Sequence, residues 1–216
     1  MKRIFLIPIC LLSIVGCSCN KESFSIEKFK TYNSNDISTY KMEYIEENND
    51  IVEKKFEVYS NCDSTACEYY VKKEENNLVF EYTYKYLNNH YLIYTKTNGV
   101  LTKTNELREG IKVSDKNFEV SIHTLKEFIK NDIALYDKGD DNFETKISKN
   151  KYLTTYKAYT IDNVLSEKTI NQYSFDKENI SSLERKKEIY SQENNEILNT
   201  KKIYINIKYN NVVIPE

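Results

Sequence analysis

The stretch LVFEYTYKYL at residues 78–87 is followed by NN at 88–89 and by HYLIYTKT at 90–97. Every second residue of the first segment is apolar or aromatic: Leu78, Phe80, Tyr82, Tyr84 and Tyr86. Because successive side chains of a β-strand point to opposite faces, this alternation predicts a strand with one apolar and one polar face. Asparagine tolerates the positive φ that two-residue hairpin turns require. Residues 78–97 are therefore predicted to form an antiparallel hairpin.

The same two-residue period recurs along most of the chain. The clearest further strands are predicted at 40–44, 51–60 and 203–209, and weaker ones at 68–73, 143–149, 152–161, 164–175 and 182–191. Polar turns are predicted at 46–50, 162–163 and 193–195. The dominance of this period over the helical one predicts a mainly β protein.

Two segments carry helical signals. Ile122, Leu125, Phe128 and Ile129 fit one helical face, and Ser121 can cap it, which predicts a helix near 121–132. A later start would instead place a capping box at Thr124–Glu127. A shorter helix is predicted at 26–32, and a polar connector without strong pattern at 98–118. These elements predict an α+β fold, mainly β: a single curved antiparallel sheet or half-barrel with one or two packed helices.

The N-terminus has the pattern of an export signal. Lys2 and Arg3 precede the apolar residues 4–15. That run is too short to span a bilayer as a helix, which needs about 20 residues. A basic start followed by a short apolar run is typical of a secretory signal peptide.

The end of this run resembles the bacterial lipobox, in the order Ile14-Val15-Gly16-Cys17. The resemblance implies cleavage after Gly16 and a diacylglyceryl group on the Cys17 thiol. The expected organisation is a signal peptide at 1–16, a short tether at 17–24 and a single β-rich domain at 25–216, held on the extracytoplasmic face of a cell membrane. The alternatives are an ordinary signal peptide with an unmodified Cys17, or acylation of Cys19, whose preceding residues lack the aliphatic position.

The composition of the chain limits the classes of partner that it is expected to bind. Loss of Lys2 and Arg3 with the signal takes the formal net charge from −2 to −4. A mildly acidic chain with interleaved charges argues against nucleic acid and against a polybasic membrane patch. Isolated glycines cannot build a phosphate-cradling loop, so no cofactor is expected.

Cys62 and Cys67 lie in a polar connector between two predicted strands. Outside the cytoplasm such a pair predicts a disulfide that closes a hairpin loop. Two free thiols are the alternative. A metal site is disfavoured because neither histidine lies nearby in sequence.

No motif indicates catalysis, and the chain is expected not to be an enzyme. His90 and His123 could act as general bases, but a turn and a helix start are ordinary places for surface histidines. The acidic loop at 136–142 lacks the spacing of a twelve-residue calcium loop, and a solvated turn is the simpler interpretation. No metal site is predicted.

The aromatic strand is the one positive functional feature. Phe80, Tyr82, Tyr84 and Tyr86 are bulky and apolar, and tyrosine adds a polar tip. One interpretation is a core face covered by a helix. The other is a partly open apolar surface that holds an acyl chain.

The lipobox, the antiparallel sheet and the central helix together resemble the LolA-like carriers and the LppX/LprG-type lipoproteins. The C-terminal stretch adds to this, with a predicted strand at 182–191, a turn at 193–195, a strand at 203–209 and the ending Val212-Val213-Ile214-Pro215. The resemblance implies binding of a lipid or other apolar ligand inside a half-barrel, and it carries over no individual binding residue. The alternative function is a structural lipoprotein that docks another envelope protein of unknown identity.

Overall fold

A computed structural model describes residues 26–63, 65–87, 90–103, 108–109, 118–148, 151–177, 179–210 and 212–215. These residues form two helices, α1 (Ile26–Ser34) and α2 (Ile122–Lys138). They also form twelve strands: β1 (Thr39–Asn48), β2 (Ile51–Cys62), β3 (Ala66–Glu75), β4 (Leu78–Leu87), β5 (His90–Thr97), β6 (Val100–Lys103), β7 (Arg108–Glu109), β8 (Phe143–Ser148), β9 (Lys151–Tyr159), β10 (Leu165–Asp176), β11 (Asn179–Tyr190) and β12 (Ile197–Tyr209).

All twelve strands belong to one open antiparallel sheet. Its order is β6-β5-β4-β3-β2-β1-β12-β11-β10-β9-β8, and the two-residue β7 pairs with β5. Each half of the chain is a meander, and the halves meet where β1 pairs with β12. The predicted fold class, a mainly β single sheet with two helices, is confirmed.

Three tight hairpin turns consist of residue pairs with positive φ: Asn49-Asp50, Asn76-Asn77 and Asn98-Gly99. Asparagine, aspartate and glycine tolerate this conformation, which matches the twist of the flanking strands. The predicted turn at 46–50 was too long, because β1 continues to Asn48. The predicted connector at 98–118 was also partly wrong, since β6 begins directly after Gly99. The predicted turn at 88–89 lies outside the described residues.

Helix α2 is longer than predicted and ends at Lys138 rather than near 132. Ser121 is its N-cap: its Oγ accepts from the His123 N–H at 3.2 Å, and its own N–H donates to Thr124 Oγ1 at 3.1 Å. The capping box therefore joins Ser121 and Thr124, and the later start does not occur. Gly139 closes the helix with φ of 63°. The last turns were missed because they are largely exposed and weakly periodic.

Both helices pack on the same side of the sheet, called here the helix-side face. Side chains at alternate positions of the central strands are fully buried there, among them Tyr40, Met42, Val58, Tyr173, Leu183 and Ile205. From the helices, Phe29, Tyr32, Leu125 and Ile129 complete this core. The Phe29 ring meets the rings of Tyr152, Tyr173 and Phe175 edge-on, with centroids 4.9–5.8 Å apart. These contacts place α1 over the ends of β9 and β10 that lie farthest from the hairpin joining them.

A buried carboxylate fixes α2 to the sheet. Asp132 is only 5% exposed. Its carboxylate accepts hydrogen bonds from the Thr154 hydroxyl (2.7 Å), the Tyr173 hydroxyl (2.8 Å) and the Asn171 amide (3.0 Å). Burial raises the pKa of Asp132, and these three donors oppose the rise. Every donor comes from β9 or β10, so the cluster determines how α2 sits on these strands.

The guanidinium of Arg185 extends this hydrogen-bonded cluster on its outer side. The Arg185 guanidinium donates to Asn171 Oδ1 at 3.0 Å and lies 4.7 Å from the centroid of the Phe128 ring. Asn171 therefore links the buried carboxylate to a guanidinium on β11. A single network of polar side chains from β9, β10 and β11 therefore holds α2 on the sheet.

Replacing Asp132 by alanine is expected to lower the free energy of unfolding by about 3 kcal/mol, because buried donors lose their acceptor. Urea unfolding of the unlipidated chain measures the change. The control is Asn131→Ala, an exposed position on the same helix, which should stay within about 0.5 kcal/mol. Equal unfolding midpoints for the two variants would show that the cluster does not hold the helix.

Candidate functional site

The predicted apolar face of β4 lies on the helix-side face of the sheet. We call Leu78, Phe80, Tyr82, Tyr84 and Tyr86 the aromatic row. Tyr82 is paired with Val71 of β3, which is paired with the buried Val58 of β2. Since directly paired residues share a face, the aromatic row extends the core face outward.

Burial decreases from the centre of the sheet toward the aromatic row. Met42 and Val58 are fully buried, and Val71 of β3 is 5% exposed. One strand further out, Phe80, Tyr82, Tyr84 and Tyr86 are all half-buried, and Leu78 is 43% exposed. The row is thus an apolar surface that keeps partial access to solvent.

Phe118 packs on part of this surface. Its ring centroid lies 4.9 Å from that of Tyr84 and 5.3 Å from that of Tyr69 on β3. Tyr82 also packs against the main core. Burial raises the pKa of Tyr84, and the neighbouring Tyr82 adds to the rise. Tyr82 therefore joins the core and Tyr84 is covered by Phe118, while the row keeps partial access to solvent. The structure thus contains features of both interpretations, a core face and a partly open apolar surface.

Phe118 belongs to this site and was not predicted from the sequence. The residue follows the weakly patterned connector, and no period there distinguishes it. An aromatic residue three positions before a capping serine was the only available signal. Its role depends on a contact with β3 and β4, which are distant in sequence.

Cys62 and Cys67 lie beside the aromatic row. They are directly opposite each other in the β2–β3 register, and the structure joins them in a disulfide. Cys67 is in turn paired with Tyr86 of β4. The Asp63 carboxylate accepts from the backbone N–H groups of Thr65 and Ala66, both at 2.7 Å, which shapes the connecting turn. The crosslink therefore stabilises the end of β2 and β3 next to the row.

Removing this crosslink is expected to have a moderate effect, because the closed loop is short. The double variant Cys62→Ser/Cys67→Ser should lose about 2 kcal/mol of unfolding free energy relative to the oxidised protein. Chemical denaturation with and without reductant measures the difference. Under reducing conditions the parent and the variant should coincide. An oxidised parent no more stable than its reduced form would contradict the crosslink.

The other residues considered for chemistry have ordinary surroundings. His90 is paired with Leu87 across the β4–β5 hairpin, and His123 lies in the first turn of α2. Asp137 forms an ion pair with Lys30 at 3.1 Å, and the Asp140 carboxylate accepts from the Asn142 N–H. Within the described ranges, no three His, Cys, Asp or Glu side chains are grouped so that they could hold a metal ion. The acidic loop thus acts as the turn after α2.

Cys17, Cys19, the predicted signal peptide and the tether lie outside the described residues. In the part of the chain that is described, neither helix is long and apolar enough to cross a membrane. No protein-family model matches the chain, and no curated protein sequence does.

Proposed function

We propose that this chain is a non-catalytic lipoprotein, anchored through Cys17 on the extracytoplasmic face of a cell membrane, that binds a lipid or another apolar ligand. The observation that supports ligand binding most directly is the half-buried aromatic row. It continues the core face of the sheet while keeping partial exposure.

The chemistry of the row suits an amphiphile. The aromatic rings of β4 offer apolar area to an acyl chain, at about 0.8 kcal/mol for each methylene removed from water. Tyrosine hydroxyls at the edge of such a surface can bind the polar part of a ligand. Tyr82 and Tyr84, adjacent on one face of β4, supply both properties.

The architecture is compatible with the proposal. The resemblance to LolA-like and LppX/LprG-type lipoproteins implies a curved antiparallel sheet or half-barrel with a central helix. This chain has one open sheet with both helices on one side. The proposed ligand surface lies on that same side.

Binding is expected to depend on the aromatic row. In the unlipidated Cys17→Ser chain, Tyr82→Gln/Tyr84→Gln should weaken binding of a long-chain fluorescent fatty acid at least tenfold, about 1.4 kcal/mol. The control is Tyr204→Gln, which alters a tyrosine on the opposite face of β12. Native mass spectrometry and fluorescence titration provide the readouts. A parent chain that carries no lipid after purification and takes up none would refute the proposal.

Membrane attachment is expected to require the Cys17 thiol. Cys17→Ser should abolish incorporation of radiolabelled palmitate and move the protein from the detergent phase to the aqueous phase on phase partitioning. Cys19→Ser is the matched control and should leave both unchanged. If labelling persisted in Cys17→Ser and disappeared in Cys19→Ser, the acceptor would be Cys19.

The second candidate is a lipoprotein that docks another envelope protein. It is favoured by a group of exposed apolar residues at one end of the sheet. These residues lie away from the part of the aromatic row that Phe118 covers. Docking and ligand binding are compatible, since the two surfaces share only Leu78.

A further inference from the structure

Five hairpins turn at the same end of the sheet. Because the strands are antiparallel and consecutive, the tips joining β1–β2, β3–β4, β5–β6, β9–β10 and β11–β12 lie side by side. We call these tips the turn end: residues 49–53, 75–79, 97–101, 159–165 and 189–199. The register confirms this alignment at the centre, where Asn48, next to the first tip, is paired with Lys201, next to the last.

Exposed apolar side chains are concentrated at the turn end. Ten large hydrophobic residues there are exposed: Ile51, Val52, Leu78, Val100, Leu101, Tyr159, Ile161, Ile189, Ile197 and Leu198. Elsewhere in the described residues only Leu87, Tyr136 and Val213 are comparably exposed. Ile161 is completely exposed. Single exposed apolar residues are normal, but a concentration of them marks an interaction site.

The charge of the turn end has one sign. It contains Asp50, Glu53, Glu75, Asp162, Glu193 and Glu196, and its five ranges contain no lysine or arginine, although the whole chain has 31. Lys202 pairs with Asp50 and Lys73 pairs with Glu75 from just behind the tips. The outermost charges of this end are therefore acidic.

We propose that the turn end docks a protein whose complementary surface combines apolar side chains with lysine or arginine. Apolar contact would supply affinity, and basic groups would meet the acidic tips. An anionic lipid surface fits less well, because it repels hairpin tips that carry acidic groups and no lysine or arginine.

One depression in the turn end can receive an anchoring side chain. It lies between the first two hairpins, has a volume of about 810 Å³, and includes Ile51, Val52, Leu78 and Val79 in its lining. The two lysines in the same lining are already paired: Lys54 with Glu119 at 2.8 Å and Lys55 with Glu74 at 3.9 Å. A bulky apolar or arginine side chain of the partner would fill such a pocket.

The position of α1 agrees with a protein partner, a step that rests on the proposed anchor at Cys17. Phe29 of α1 contacts Tyr152 and Phe175, at the opposite ends of β9 and β10 from their turn. Cys17 lies nine residues before Ile26, which spans at most about 30 Å. A protein held from that side would present its turn end away from its own membrane.

Photo-crosslinking in the native, lipidated chain tests the proposal. A photoreactive phenylalanine analogue is placed at Val100, Ile161 or Leu198 in the turn end, and at Leu87 or Tyr136 as matched exposed controls. The expected result is one shared protein crosslinked from the turn-end positions only, through a peptide that contains lysine or arginine beside apolar residues. The charge reversal Glu193→Lys/Glu196→Lys should lower the yield at least tenfold.

Several outcomes would overturn it: crosslinks only between copies of this chain, crosslinks only to lipid, no protein crosslink, or equal yields from Leu87. The turn end would instead be a membrane-binding surface if the Cys17→Ser chain bound phosphatidylglycerol vesicles and the added changes Ile161→Ser/Leu198→Ser abolished that binding. The fatty-acid titration of the same charge-reversed chain should match the parent. A failure of ligand binding can therefore be distinguished from a failure of docking.

Discussion

Pairing of β1 with β12 is the constraint on which the rest of this structure depends. It joins residues from opposite ends of the chain, such as Tyr44 and Ile205, and converts two separate meanders into one sheet. The Tyr32 hydroxyl lies 2.7 Å from that of Tyr209, and Tyr209 donates to the Ile180 carbonyl, so α1 and β11 are tied to the same junction. The core beneath the two helices draws on both halves, with Met42 and Val58 from one and Tyr173 and Leu183 from the other.

This junction makes the helix-side face continuous across both halves of the sheet. The two helices cover that face unevenly. The centre is filled by Phe29, Tyr32, Leu125 and Ile129, and the polar cluster around Asp132 sets the position of α2. Because helices of this length cannot cover the full width of so many strands, the aromatic row on β4 is left half-buried. The same alternation thus produces a filled core in one place and a candidate ligand surface in another.

The regular parts of the fold could be predicted from local pattern. The β4–β5 hairpin was predicted with its observed bounds, because its period of two is unbroken over 78–87. The turn predicted at 46–50 was too long because Glu46 is polar in sequence yet buried, with Lys201 at 2.7 Å and the Tyr44 hydroxyl at 2.6 Å as partners. Burial opposes ionisation, but these hydrogen bonds hold the pKa of Glu46 below its ordinary range. A charged side chain that is buried in a strand needs such partners, and here Lys201 comes from a strand that is distant in sequence.

Residue order alone determined that this is a mainly β protein with a capped central helix, and it located the apolar face of β4. Those features depend on neighbours within a few residues, which alternation and capping describe. Only the tertiary structure decided that Asp132 is a buried anchor, that Phe118 packs on Tyr84, and that five hairpin tips with exposed apolar side chains, four of them acidic, lie side by side at one end of the sheet. Each of these depends on strands that are distant in sequence and adjacent in the sheet, and local periodicity contains no information about that adjacency.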